Sequence, residues 1–405
     1  MKTMIDTPAH VFAIQDDPIV AVRTRVFEWT GPTAPIPERI SISATDIVTS
    51  NEDRMRGYAF HAWLVVEIET RSGAVGLGNA AVAPHVTKEI VDRYLTPIVL
   101  GASPFDVELL WQRMYRQTMA FGRKGAAMIA ISAVDIALWD LMGKLTGLPV
   151  HRLLGGRVKP ELTAYASKLY NQPADRLRAE AQTYVEQGFT AVKMRLGYGP
   201  ADGAEGMRRN IENIALVRDT IGEDVDLMLE AYMGWTLEYA RQMLPRLEEF
   251  RLRWVEEPLI ADDVEGFAEL RRDSRIPIAT GEHEHTIYGF RRLLEARAID
   301  YIQFDTNRVG GISQARKIIA MAEAFSVPVV PHAGQMHNFH LSLSSVICPI
   351  VEYFPPNPVE IGNELFWYLF KGEPLAENGK IRIGNEPGLG LSLSDEHREN
   401  FRVIE

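Results

Sequence analysis

Between residues 160 and 352 the chain repeats one unit: a short run rich in β-branched and aromatic residues, then a longer amphipathic stretch. The candidate strands are Leu162 to Lys168, Ala191 to Arg195, Val225 to Glu230, Leu252 to Glu256, Ile276 to Glu282, Tyr301 to Asp305, Val327 to His332 and Pro349 to Glu352. They end at residues 168, 195, 230, 256, 282, 305, 332 and 352, so each unit is about the length of one strand plus one helix. Eight consecutive β-then-α units have one closed solution, a parallel barrel with its helices outside; a doubly wound open sheet is the alternative. The predicted fold class is α/β, a (β/α) barrel of the modified TIM type.

The flanking segments read differently. Val20 to Phe27 alternates and His61 to Ile68 is rich in Val, Ile and Trp, with a Pro- and Gly-bearing loop over residues 28–59 between them. Pro104 opens a helical stretch, and Ala126 to Leu145 is almost continuously apolar until Gly147 and Pro149 stop it. From Phe366 onward short β-like pieces and the turn Glu386-Pro387-Gly388-Leu389-Gly390 suggest a return to the N-terminal part. The expected organisation is an α+β cap over residues 1–155, a barrel bearing the active site over 156–365, and a tail over 366–405 that rejoins the cap.

Composition narrows the partners. The 405 residues are 46% hydrophobic and 24% charged, which suits a large packed core. Acidic residues outnumber basic ones 54 to 43, giving a formal charge of -11 spread along the chain, so neither nucleic acid nor an anionic membrane is an expected partner. Cys348 is the single cysteine and has no intramolecular partner, as suits a reducing compartment. The first nineteen residues hold Asp6, Asp16 and Asp17 and no long apolar run, and no later stretch reaches about 20 consecutive apolar residues. A cytoplasmic location is the expectation.

In a parallel barrel, side chains at the C-terminal strand ends line the active-site mouth. Glu230, Glu256 and Glu282 close the third, fourth and fifth candidate strands, where neighbouring carboxylates converge. Hard oxygen ligands without a cysteine or a zinc-like histidine pair suit Mg²⁺. Each glutamate alone could equally cap the following helix. Glu257 rivals Glu256, and strand alternation would send the two to opposite faces. Asp305 and His332 end the next two strands; a carboxylate beside an imidazole fixes its tautomer and raises its basicity, which makes a general base. His283, His285, His337 and His340 crowd the same region, with His283 the better candidate for a further role. Lys193 and Arg195, two apart on one strand, face the same way, and both could hold an anionic substrate. Arg195 stays protonated; Lys193 could lose its proton if desolvated, or be spent in a buried salt bridge to a metal carboxylate. Glu352, on the eighth strand, could hydrogen-bond developing charge or form a structural ion pair.

Taken together these residues resemble the enolase superfamily, mandelate racemase subgroup, and within it the acid-sugar dehydratases of the L-rhamnonate dehydratase type. The resemblance covers nearly the whole chain. It runs through Ala133-Val134-Asp135-Ile136-Ala137-Leu138-Trp139-Asp140, Gly147-Leu148-Pro149 with Leu153-Leu154-Gly155-Gly156, and Trp254-Val255-Glu256-Glu257-Pro258. It continues through Gly281-Glu282-His283, Gln303-Phe304-Asp305 leading to Gly310-Gly311, Val330-Pro331-His332 and Pro387-Gly388-Leu389-Gly390. It implies Mg²⁺ on Glu230, Glu256 and Glu282, an acid/base dyad of His332 with Asp305, and Glu352 hydrogen-bonding the intermediate. It implies a homo-oligomer.

Two positions depart from the pattern. Glu230 stands where relatives commonly carry Asp, and Arg195 stands where racemases of the subgroup have the second lysine of Lys-x-Lys. With one competent base, elimination stays possible and inversion by two opposed bases becomes hard. The resemblance therefore implies a dehydratase acting on an acid sugar: His332 takes the proton alpha to the carboxylate, the metal stabilises the enediolate, and loss of the 3-hydroxyl leads to a 2-keto-3-deoxy acid. An epimerase using Lys193 opposite His332, and a catalytically silent barrel that binds a sugar acid, are the rivals. Trp29, Arg54 and Arg56, on or beside the loop over residues 28–59, are candidate substrate contacts.

Overall fold

Alternation in the N-terminal runs gives a sheet with one face to bury. The structure, a computed structural model, describes residues 17–33, 47–48, 60–356 and 363–405. Strands β1 (Ile19–Trp29), β2 (Ala62–Thr70) and β3 (Val75–Ala80) form an antiparallel meander. Helix Ala126–Thr146 covers this sheet. It can lie close because β3 carries Gly76 and Gly78: a Cβ on Gly78 would meet Ala133 O at 1.9 Å, and one on Gly76 would meet Ala137 O at 2.2 Å. This helix is long and apolar enough to cross a bilayer, yet 94% of its apolar window is buried between sheet and barrel, so here it is a core element.

The barrel strands are β4 (Leu162–Leu169), β5 (Ala191–Arg195), β6 (Asp226–Glu230), β7 (Trp254–Glu256), β8 (Ile278–Thr280), β9 (Tyr301–Ile302) and β10 (Val351–Tyr353). They run parallel in the order β10-β4-β5-β6-β7-β8-β9. The seventh predicted strand, Val327 to His332, is corrected to an extended segment held by single bridges, Ile302 to Val329 and Asp305 to His332. The physical reason is its two prolines, Pro328 and Pro331, which have no N–H to donate to a ladder. It still closes the ring: Val330 N donates to Ile302 O at 2.8 Å, His332 N to Phe304 O at 2.9 Å and Val329 N to Ile347 O at 3.0 Å. The interior is filled by Tyr165, Ala191, Met228, Trp254, Ala279, Val330 and Ile350 with Tyr301 against them, one side chain from each of the eight staves.

The tail adds β11 (Phe370–Lys371), β12 (Lys380–Ile381), β13 (Ser392–Leu393) and β14 (Phe401–Ile404). β12 pairs with β4 at the barrel, and β14 pairs antiparallel with β1 in the cap sheet. The turn through Gly388 and Leu389 is anchored by Asp140 of the long helix. One carboxylate oxygen accepts from Leu389 N and the other from Leu77 N, each at 2.7 Å, so this fully buried residue joins tail, helix and β3. Asp140→Ala leaves two buried amides without acceptors, and a loss of about 3 kcal/mol is expected in urea unfolding, with an unchanged fold by circular dichroism.

The cap is fixed over the barrel mouth by directed bonds. Asn307 Nδ2 donates to Asn79 O at 2.7 Å, Trp111 Nε1 to Gly310 O at 2.8 Å, and Ser313 N to Asp135 Oδ2 at 2.9 Å. Residues 305–313, which follow β9, therefore carry both the predicted dyad carboxylate and the docking surface for the cap.

Candidate active site

Strand register does the first part of the assembly. Arg195 pairs with Glu230 and Glu230 with Glu256, so the ends of β5, β6 and β7 stand level. Glu282 sits two residues beyond β8, after Gly281, whose φ of +137° turns the chain inward. Ligand oxygens of Glu230, Glu256 and Glu282 all lie within 4.8 Å of one another, and all three side chains are buried. Glu282 Oε2 is buried and accepts no hydrogen bond among the described residues. Three converging buried carboxylates form an oxygen-only donor set that fits a hard divalent cation.

Charge around the trio is arranged asymmetrically. Burial, with Glu230 beside it, pushes the Glu256 carboxyl well above its ordinary range, although Lys193 opposes this. Burial also raises Glu230, again against Lys193. For Glu282 the burial penalty is overcome by His332, His283 and Arg308, and its carboxyl is lowered. Glu256 is held by Trp254 Nε1 at 3.1 Å and Gln303 Nε2 at 2.6 Å, contacts that the strand-end pattern does not reveal.

His332 and Asp305 are brought together: His332 Nδ1 lies 2.9 Å from Asp305 Oδ2, and the other ring nitrogen is 3.1 Å from Glu282 Oε2. With Nδ1 turned to Asp305, Nε2 is the ring nitrogen that faces the carboxylate trio. Burial depresses the imidazole, but Glu282, Glu352 and the Asp305 hydrogen bond outweigh it and the His332 pKa is raised. Asp305 is itself oriented by Asn307 N at 2.7 Å and Arg308 Nε at 3.0 Å. Arg308 also reaches Glu282 Oε1 at 3.1 Å, linking trio and dyad. The sequence pattern does not single out Arg308; its position three residues after Asp305, one turn along the short helix Thr306–Val309 that Asp305 caps, is the available signal.

Several expectations need correction. Glu256 and Glu257 are not sent to opposite faces by simple alternation, because Glu257 has φ +42° and leaves the strand conformation. Its Oε2 lies 2.8 Å from His283 Nδ1, and Glu257, Glu282 and His283 also approach within 4.8 Å. Of the two readings of Lys193, the ion pair is the one seen: its ammonium contacts Glu230, Glu256 and Glu352, whose charges outweigh burial and raise its pKa. Glu352 accepts from Ser167 Oγ at 2.6 Å and Ala333 N at 2.8 Å, and its carboxyl is lowered to about 2. Burial opposes that shift, and Lys193 and His332 produce it. In this arrangement Glu352 is an ionised acceptor. Arg195 is buried with Tyr170 beneath its guanidinium at 5.7 Å, and its Nε has no partner among the described residues.

The other histidines separate by contact. His285 Nε2 accepts from Gly125 N at 3.0 Å, and His340 stacks on His151 with ring centroids 5.2 Å apart. His337 is fully buried, and burial lowers its pKa to about 4. Trp29 packs on Tyr368 and Phe401, joining cap to tail, while Arg54 and Arg56 lie outside the described residues. A narrow cleft opens above the dyad, between Phe60, Trp63, Val82 and Ile129 of the cap and Asp305, Arg308, His332 and Phe354 of the barrel.

Comparison with known proteins matches this architecture. Residues 55–155 match the mandelate racemase / muconate lactonizing enzyme N-terminal domain, and residues 176–397 match the enolase C-terminal domain-like family. The chain is similar to an L-rhamnonate dehydratase of Saccharopolyspora erythraea, 40% identical over 82% of this chain and 83% of that one. It is also similar to a putative L-rhamnonate dehydratase of Caldivirga maquilingensis, 39% identical over 82% of this chain and 81% of the other. The crystal structure of rhamnonate dehydratase from Gibberella zeae complexed with Mg superposes with a TM-score of 0.81 at 30% identity, covering 95% of this chain and 96% of that one.

Proposed function

This chain belongs to the mandelate racemase / muconate lactonizing enzyme family of enolase-like proteins, and from that premise we propose that it is a Mg²⁺-dependent acid-sugar dehydratase. The observation that carries the reading is the His332–Asp305 pair, 2.9 Å apart, with the other His332 ring nitrogen 3.1 Å from Glu282 of the Glu230–Glu256–Glu282 trio. Mg²⁺ held by the three glutamates would supply positive charge to the substrate carboxylate as negative charge develops there. His332 Nε2 takes the proton from carbon 2, with Asp305 holding the ring and balancing the imidazolium that forms. The protonated imidazole then gives that proton to the 3-hydroxyl, which leaves as water. The resulting enol tautomerises to a 2-keto-3-deoxy acid, so atoms and charge balance.

Arg195, a permanent cation whose Nε has no partner among the described residues, would hold a substrate oxygen. Glu352 orients the chain after His332 through the Ala333 amide. The apolar cap wall of Phe60, Trp63, Val82 and Ile129 favours a substrate whose far end is a methyl group, as in a 6-deoxy acid such as L-rhamnonate.

The test is conversion of a library of acid sugars with Mg²⁺, trapping the keto product. Conversion of a 6-deoxyaldonate is the expected result, and binding throughout the library without turnover would assign a silent barrel instead. A second reading, epimerisation, is favoured by the His283–Glu257 pair, a second imidazole–carboxylate couple beside Glu282. In deuterated water the dehydratase is expected to release no labelled epimer, and recovery of one by NMR selects the second reading.

A further inference from the structure

Lys193 has no exposed surface, and its ammonium lies 2.5 Å from Glu256 Oε1, 2.9 Å from Glu352 Oε1 and 3.2 Å from Glu230 Oε2, over the ring of Tyr165. A charged ammonium has three N–H donors and no lone pair, and three carboxylates here take up all three. Two of them belong to the metal trio. The third, Glu352, grips the Ala333 amide immediately after His332 and the hydroxyl of Ser167. Among the described residues, no other cation forms an ion pair with Glu230 or Glu256. Two adjacent buried carboxylates without such a partner would repel each other in a dry interior, which is costly.

We propose that Lys193 is a positioning residue: a built-in counter-ion that holds Glu230, Glu256 and Glu352 together when no divalent ion is bound, and so ties the metal carboxylates to the loop bearing His332. The lysine stands over the ring of Tyr165, one of the side chains that fill the barrel interior, fixed by covalent attachment to β5, and therefore supplies positive charge before any metal arrives. Its role is structural and electrostatic, and proton transfer is left to His332. The inference rests on the reading of Glu230 and Glu256 as metal ligands.

The experiment is thermal melting of wild type, Lys193→Met and the double variant Lys193→Met/Glu352→Gln, each in chelator and in millimolar Mg²⁺. In chelator Lys193→Met is expected to melt about 4 °C or more below wild type, and Mg²⁺ is expected to close at least half of that gap. The double variant, which removes one charge of each sign, is expected to melt above Lys193→Met in chelator. If Lys193→Met does not fold without the ion, the double variant in chelator decides: its recovery supports the counter-ion role, and its failure overturns it. A gap of the same size with and without Mg²⁺ would mean that only packing of the lysine stem was lost, and would sink the proposal. A wild type whose melting ignores Mg²⁺ would instead sink the metal-ligand reading, and this inference with it.

Discussion

His332→Asn is expected to lower turnover of a good acid-sugar substrate by about 10³-fold while leaving Mg²⁺ affinity within a few-fold of wild type. Asparagine can keep a donor toward Asp305, so the loop geometry is preserved, but it brings no basic nitrogen to the position now 3.1 Å from Glu282 Oε2. The split between the two readouts is the informative part. A pure folding defect would lower both, whereas loss of the proton carrier lowers only kcat. Calorimetric titration with Mg²⁺ beside single-turnover assays separates the cases, and native-rate turnover by the variant would remove His332 from the chemistry.

Glu256→Gln is expected to weaken Mg²⁺ binding by about 10²-fold or more and to abolish turnover at moderate metal concentration. The carboxylate is surrounded by donors: Lys193 on one oxygen, Trp254 and Gln303 on the other. An amide in that position has one acceptor atom where two are required, so its NH₂ must face a donor. The substitution therefore removes a charge from the trio and misorients the oxygen that remains. Partial rescue at high Mg²⁺ is the expected sign that the site is weakened rather than destroyed. Unchanged metal affinity would contradict the ligand role of Glu256.

Much of the site could be read before folding because a barrel maps strand ends onto one rim. Glu230 and Glu256 are the last residues of their strands, and Asp305 and His332 meet across a single bridge. What the pattern could not resolve was local backbone. The positive φ of Glu257 depends on the turn between β7 and the next helix, and it cancelled the alternation argument for that residue. Likewise Pro328 and Pro331 preserve the course of the seventh stave while removing its ladder, a distinction that apolar periodicity does not carry.

Residue order along the chain determined the eightfold repeat, the rim positions of the carboxylates and the absence of a second lysine at 195, since these follow from spacing and identity alone. Tertiary structure alone decided which charges meet. Lys193 reads equally well as substrate ligand, base or ion-pair partner until three strands bring Glu230, Glu256 and Glu352 around it, and Arg308 has no evident task until its short helix packs against Glu282. The physical reason is that a side chain's protonation and role are set by the field of groups distant in sequence and removed from water together, and only the packed fold specifies that field.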